Sequence, residues 1–403
     1  MRKRRAVLVA ATLLLLVGAP QALGGAQSPL ARRLDRALQV PQVIPSRSAA
    51  IAVDLKTGEV VFQRHRSLSL APASNEKLTV TYGALTTLGP SFRFRTEVVG
   101  EGGQTGMVWH GDLILKGYGD PTLSSDDLKS LARQVHSAGI KHVTGRILGD
   151  ESFFDAKRGV TGWKSYYYFE ESPPLSALTV DRATYRGHQV SRPAAAAATG
   201  FRRALLAAGV SVRGAAGEGR ATEPALKLAI VRSQPLLKIM RFMDRESDNF
   251  TAELLLKQLG ALAGRGTSAR GALMVRRTLS EAGIPLEGVR LVDGSGLSLL
   301  DRLTARSLVG ILQAAWADTS LRRPFFSLLA VAGHNGTLRK RLLTPPARGH
   351  IHAKTGTTDE ASSLSGYVKG RYAFAILHNG SPLATWWAKQ AEDRFVTVLV
   401  RAK

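Results

Sequence analysis

From residue 48 to 64 apolar and polar positions alternate around Asp54-Leu55-Lys56-Thr57-Gly58, which predicts two strands joined by a tight turn. Residues 74–88 carry the spacing of a helix that stops at Gly89-Pro90. From about 92 to 180 glycines separate short apolar runs. Within that stretch 111–123 reads as a strand entering a loop, 126–140 as an amphipathic helix and 142–150 as a strand. The alanine-rich stretch 193–209 is expected to be helical, because Phe201 to Leu206 continue it with helical spacing. Residues 235–262 predict a long helical region, 362–380 a hairpin and 383–393 a closing helix. No internal repeat is present. One architecture accommodates these elements: strands from both ends of the chain pair in one sheet, a helical cluster covers it, and a separate α+β piece lies between.

Composition narrows the chemistry. The chain has 403 residues, ample for a large core, and no cysteine. A disulfide framework, a thiolate metal site, an iron–sulfur cluster and a cysteine nucleophile are therefore excluded. Lys and Arg number 55 against 31 Asp and Glu, a net charge of +24 that points to an anionic partner. The N-terminus indicates which kind. Arg2-Lys3-Arg4-Arg5 precedes an apolar run from Ala6 to Val17, and small residues follow at Ala22, Gly24, Gly25 and Ala26. That order describes an export signal over 1–26, expected to be cleaved, with an uncleaved N-terminal anchor as the alternative. The location expected is periplasmic, extracellular or cell-wall associated. No lipoprotein is possible without a cysteine. Arginine is dispersed rather than blocked, and no RNA motif or zinc-finger spacing occurs, so nucleic acid is not an expected partner. An anionic cell-envelope surface is.

Three short motifs carry candidate chemistry. Ser74-Asn75-Glu76-Lys77 places a serine and a lysine three residues apart at a helix start, on one face, where an amine can reach a hydroxyl. A serine becomes a nucleophile when a base removes its proton, and lysine can be that base once burial or positive charge lowers its pKa. Read alone, Ser74 could simply cap the helix, with Lys77 in solvent. Ser247-Asp248-Asn249 supplies a second hydroxyl and an amide, at a segment that also reads as a helix start with Glu253 in its first turns. Lys354-Thr355-Gly356-Thr357 would offer, on an edge strand, a cation, two hydroxyls and a glycine permitting close backbone approach. Lys56-Thr57-Gly58 repeats three of those letters but falls at the expected hairpin turn, where Thr-Gly is turn chemistry.

The three motifs in this order are those of the serine penicillin-recognising enzymes. Further segments narrow the likeness: 71–98, 111–123, 245–260, Asp293 to Ser298, 332–342 and 353–357. Together they resemble the D-alanyl-D-alanine carboxypeptidase/endopeptidase family typified by penicillin-binding protein 4, peptidase family S13. The resemblance implies an α+β fold, a penicillin-binding/β-lactamase-like sandwich of antiparallel sheet and helices with an inserted α+β domain. It implies a catalytic domain in two parts, 27–95 and 230–403, around an insertion at 96–229. Family members usually carry a further domain nested in that insertion. Here 176–187 is followed almost at once by 193–214, so the nested domain is expected to be missing.

The resemblance also implies a mechanism. Ser74 attacks the penultimate D-alanine carbonyl of a peptidoglycan stem peptide, with Lys77 as base. The N–H groups of Ser74 and Thr357 form the oxyanion hole. Ser247 passes the proton to the leaving amine, Lys354 and Thr355 receive the terminal carboxylate, Gly356 between Thr355 and Thr357 lets the backbone come close, and Asn249 holds the peptide. β-Lactams are the implied inhibitors. No cofactor or metal is implied, and no oligomeric state. His350 and His352 flank Ile351 and could suggest a metal, but no third ligand is apparent and positions on one strand face explain them. A β-lactamase is disfavoured: of the asparagines after 249, Asn335 and Asn379, neither follows a glutamate at four residues. A non-catalytic wall-binding protein is the other alternative, against which three intact motifs stand.

Overall fold

The computed structural model describes residues 28–222 and 225–402; the expected export signal lies outside the described residues. The described chain runs from α1 (Pro29–Ala37) into β1 (Ser48–Asp54), β2 (Val60–Arg64) and, after a 3₁₀ turn at Ala73–Glu76, α2 (Lys77–Leu88). There follow β3 (Arg95–Thr105), β4 (Val108–Gly117), α3 (Ser125–Ser137), β5 (His142–Val143), β6 (Ile147–Asp150) and the kinked turn α4 (Tyr167–Glu170). Next come β7 (Thr184–Tyr185), β8 (His188–Gln189), α5 (Pro193–Ala207), β9 (Ser211–Val212), β10 (Ala216–Glu218) and β11 (Leu226–Arg232). Five helices succeed them: α6 (Leu236–Glu246), α7 (Asn249–Ala261), α8 (Ser268–Glu281), α9 (Ala305–Ala317) and α10 (Thr319–Leu328). The chain ends with β12 (Ala330–Val331), β13 (Ile351–Thr357), β14 (Ala361–Val368), β15 (Tyr372–Asn379) and α11 (Thr385–Val400).

The first sheet is antiparallel, in the order β12-β13-β14-β15-β1-β2. Strands near both ends of the chain pair in it, as the hydrophobic pattern requires. β1 explains the layering. All seven of its residues are buried, so both faces need cover. Ala49, Ile51 and Val53 join Leu78, Met243, Leu255 and Leu308 in one core, supplied by α2 and α6 to α10. Ala50 and Ala52 join Leu34, Phe374 and Phe395 in a second core under α1 and α11. Period-two side chains thus feed two helical layers from one strand.

The second sheet is mixed. β3 pairs antiparallel with β4 and β11, whereas β6 runs parallel to β4 and β10. α3 and α5 cover it through a core that includes Trp109, Leu113, Leu131 and Phe201. Pro193 stands at the first turn of α5, where its missing N–H costs nothing.

Four expectations need correction. The 48–54 strand does not alternate: it is central and buried on both sides, and only β2 shows an exposed face. The 142–150 strand is two short pieces separated at 144–146. The long helix at 235–262 breaks at Ser247, whose φ of 62° no α-helix accommodates. The closing helix continues to Val400, because Phe395, Val396 and Leu399 still face the sheet.

Candidate active site

Ser74 lies in the 3₁₀ turn, directly before α2, and Lys77 is the first residue of that helix. Neither the turn nor α2 has a side-chain cap, so Ser74 is not serving as one. Lys77 is fully buried instead of solvated. Its Nζ donates to Ser74 Oγ at 2.9 Å, to Asn249 Oδ1 at 2.8 Å and to the Ser295 carbonyl at 2.7 Å. The turn before it is tightly shaped. Ala73 has a φ of 46°, and Gly296, at a φ of 82°, lies so near that a Cβ there would come within 1.9 Å of the Ala73 carbonyl oxygen.

The second motif sits where α6 stops and α7 starts. The left-handed Ser247 turns the chain, and Asp248 caps α7 by accepting from Thr251 N. Arg182 pairs with Asp248 at 2.6 Å. Ser247 Oγ thereby faces Lys354, whose Nζ donates to it at 2.8 Å. Asn249 Nδ2 donates to the Glu171 carbonyl at 3.0 Å, tying the segment around α4 to the site.

The third motif lies on β13. β12 pairs only with His352 and Ala353, which leaves Lys354 to Thr357 on an open edge. That edge runs past the serine turn: Asn75 Nδ2 donates to the Lys354 carbonyl at 3.1 Å. A Cβ on Gly356 would meet Ser74 N and the Pro72 carbonyl oxygen at 2.9 Å, and Ser363 Oγ at 2.3 Å. Thr355 Oγ1 donates to Thr337 Oγ1 at 2.7 Å, and Thr357 is exposed at the strand's end. All eight residues singled out from the sequence thus lie on three adjoining pieces of chain. The look-alike at Lys56-Thr57-Gly58 is a turn: Asp54 Oδ1 accepts from Lys56 N at 2.9 Å and Gly58 has a φ of 76°.

A cavity of about 540 Å³ opens beside Thr357, walled by Tyr166, Tyr167, Glu171, Leu297 and Asp359. Lys164 and Tyr166 hold Asp359 at 3.1 and 3.0 Å, closing one side. His350 and His352 do not share a strand face, since His350 precedes β13. His352 stacks on Phe326 at 4.0 Å, and burial pushes its pKa down to about 4. The His350 ring meets the Arg348 carbonyl at 3.0 Å. Among the described residues no group of three or more His, Asp or Glu is arranged to hold a metal ion.

Burial dominates the electrostatics. It pushes Lys77 down to about 8, against the opposing charge of Asp293. Burial and the charge of Lys77 together push Lys354 well below the ordinary lysine range. Beneath the two lysines burial raises Asp244 to about 7 and Glu253, next to Asp293, to about 8. Sequence patterns did not expose three participants. The Ser295 carbonyl is main chain and carries no residue signature. Glu253 reads as an acid in the first turns of a helix yet is fully buried. Glu171 enters through its carbonyl.

Residues 30–188 and 184–401 match the D-Ala-D-Ala carboxypeptidase 3 (S13) family. The chain is 32% identical to a D-alanyl-D-alanine carboxypeptidase of Actinomadura sp. (strain R39), over 486 aligned positions covering 95% of this chain and 88% of that protein. It is 31% identical to carboxypeptidase DacB of Mycolicibacterium smegmatis, covering 81% and 75%. The fold superimposes on penicillin-binding protein 4 (dacB) of Haemophilus influenzae with a TM-score of 0.80 at 22% identity, covering 92% of this chain and 98% of that one.

Proposed function

The chain belongs to the D-Ala-D-Ala carboxypeptidase (S13) family and is a serine-type carboxypeptidase, and we propose that Ser74 is its nucleophile and peptidoglycan stem peptides its substrates. One observation carries the reading: the buried Lys77 amine stands 2.9 Å from Ser74 Oγ and is held there from two other sides. A neutral amine so placed takes the hydroxyl proton as oxygen attacks the penultimate D-alanine carbonyl. The close pass of Gly356 beside Ser74 N supports an oxyanion hole made of the Ser74 and Thr357 N–H groups. The contact between Lys354 and Ser247 supports proton delivery to the leaving amine through the Ser247 hydroxyl. Thr355, with the charge of Lys354 behind it, receives the substrate's terminal carboxylate, and Asn249 holds its peptide. Water then releases the acyl-enzyme. The same serine acting on a crosslink gives endopeptidase activity.

We read 96–229 as an insertion between two parts of the catalytic domain. The alignment with the Actinomadura protein is longer than this chain, which supports the absence of a nested domain here. Export by the segment 1–26 and attraction to an anionic envelope complete the proposal; among the described residues no helix is long and apolar enough to cross a membrane. The decisive experiment is labelling with a fluorescent penicillin. We expect one label per chain, slowly lost, and none in Ser74→Ala. Folded wild-type protein that takes up no label, or equal labelling of Ser74→Ala, refutes the assignment. Digestion of defined muropeptides, read by mass, then separates loss of terminal D-alanine from crosslink cleavage.

A further inference from the structure

Two acceptors besides Ser74 surround the Lys77 amine, and they are held by different means. Asn249 Oδ1 belongs to a side chain at the start of α7. The Ser295 carbonyl belongs to a loop, Asp293 to Ser298, that has no regular structure of its own. A base in general acid–base chemistry must keep hydrogen-bond geometry with the proton it takes. A neutral amine has two N–H groups and one lone pair. With Asn249 and Ser295 accepting the two N–H groups, the lone pair is left facing Ser74.

The loop is fixed by buried carboxyl groups. Glu253 Oε1 accepts from Gly294 N at 2.9 Å and from Ser295 N at 2.8 Å. Asp293 accepts from Ser295 N at 3.1 Å, Gly296 N at 2.7 Å, Ser298 N at 2.7 Å and Trp163 Nε1 at 2.8 Å. Every N–H from 294 to 296 is thereby bound to a carboxyl oxygen. Packing closes the remaining freedom. A Cβ on Gly294 would sit 2.7 Å from the Ala252 carbonyl oxygen of α7, and Gly296 lies against the serine turn. Glu253 follows Asn249 by four residues on α7, so one helix face serves both acceptors of the amine. Glu253 is fully buried and its Oε2 has no partner, a cost that a stability role alone would not favour.

We propose that Glu253 and Asp293 are positioning residues for the Lys77 amine: by binding the N–H groups of Gly294, Ser295 and Gly296 they hold the Ser295 carbonyl as its second fixed acceptor and so direct the lone pair at Ser74. The inference rests on the reading of Lys77 as base. Its test uses the full chain and a fluorescent penicillin, with Glu253→Met, which fills the space without accepting, and Glu253→Gln, which keeps an acceptor oxygen. The label bound at saturation counts competent sites, and the rate constant reports each site. Glu253→Met should bind label near stoichiometrically but roughly 10- to 100-fold more slowly, the effect of an ångström-scale misplacement. Glu253→Gln should stay within about threefold of wild type on the high-pH plateau, because the acceptor survives, while its inflection moves to lower pH with the loss of a charge that favours the Lys77 ammonium.

A Glu253→Met variant that labels at the wild-type rate constant overturns the proposal. So does a folded Glu253→Gln slowed more than about tenfold, and this arm decides even where Glu253→Met does not fold. A lower label count at an unchanged rate constant is the signature of a structural role and overturns it as well. Wild-type protein that takes up no penicillin overturns the acyl-enzyme reading with it, whereas wild-type labelling matched by the variants overturns this inference alone.

Discussion

Acylation of Ser74 should be gated by the protonation of Lys77. The perturbation is pH, varied from 6 to 9.5, a range over which a penicillin carboxylate stays ionised. Burial pushes Lys77 down to about 8, while the charges of Asp293, Asp248, Glu253 and, most weakly of these four, Asp244 pull it back up. Only the neutral amine can accept the serine proton. It makes up about one-tenth of molecules at pH 7, about one-hundredth at pH 6 and about nine-tenths at pH 9. The second-order rate constant for labelling should therefore rise about tenfold per pH unit below the inflection and level off above it. Rapid mixing with fluorescent penicillin, quenched and read on denaturing gels, measures it. Asp244→Asn supplies a second point. Asp244 is buried, accepts from Thr81 at 2.9 Å and stabilises the Lys77 ammonium through space. Removing its charge should move the inflection to lower pH. A profile that is flat or falling between pH 6 and 9 refutes the account of Lys77 as base, and an inflection that Asp244→Asn does not move refutes the electrostatic account of its pKa.

Gly356→Ala should slow acylation at least about tenfold, because its methyl group forces β13 away from the backbone of Ser74 and Pro72, and should lower stability by roughly 1–3 kcal/mol, the usual cost of overpacking. Labelling rate and thermal unfolding measured together check both parts, and a normal rate would contradict the close approach. If the net charge of +24 serves attraction to an anionic envelope, raising salt should release the protein from isolated wall or membrane while leaving penicillin acylation largely intact. Retention at high salt would point to a non-electrostatic attachment.

The Ser74 and Lys77 pairing was legible in the sequence because their spacing lets the amine reach the hydroxyl, and the order of the other two motifs chose that reading over a helix cap with Lys77 in solvent. The meeting of Ser247 with Lys354, 107 residues apart, came from motif order and resemblance, not from local physics. The break at Ser247 falls where the sequence also read a helix start, and Asp248 does cap α7 there; the left-handed serine itself leaves no compositional trace, whereas glycines in the same conformation advertise themselves. The Ser295 carbonyl was invisible for a different reason: main-chain acceptors are common to every residue, and only tertiary placement selects one. Glu253 misled because an acid near a helix start is ordinarily solvated, and nothing in the sequence around it announces burial. The strand at 48–54 reads as half exposed because apolar and polar positions alternate over 48–64 as a whole, while Ala50 and Ala52 are small enough to pass beneath a second helical layer.

The strand order has a consequence for when this enzyme comes into being. β1 lies between β2 and β15, with Ser48 opposite His378, so the interior of the catalytic sheet is completed by a strand made more than three hundred residues later. The serine turn likewise waits for β13, whose Lys354 carbonyl receives Asn75 from 279 residues away. Contacts of such long range form late and slowly. A chain still being synthesised therefore carries Ser74 in an unassembled site. The site is complete only after the last strands have arrived, so Ser74 gains its surroundings at the end of folding and not before.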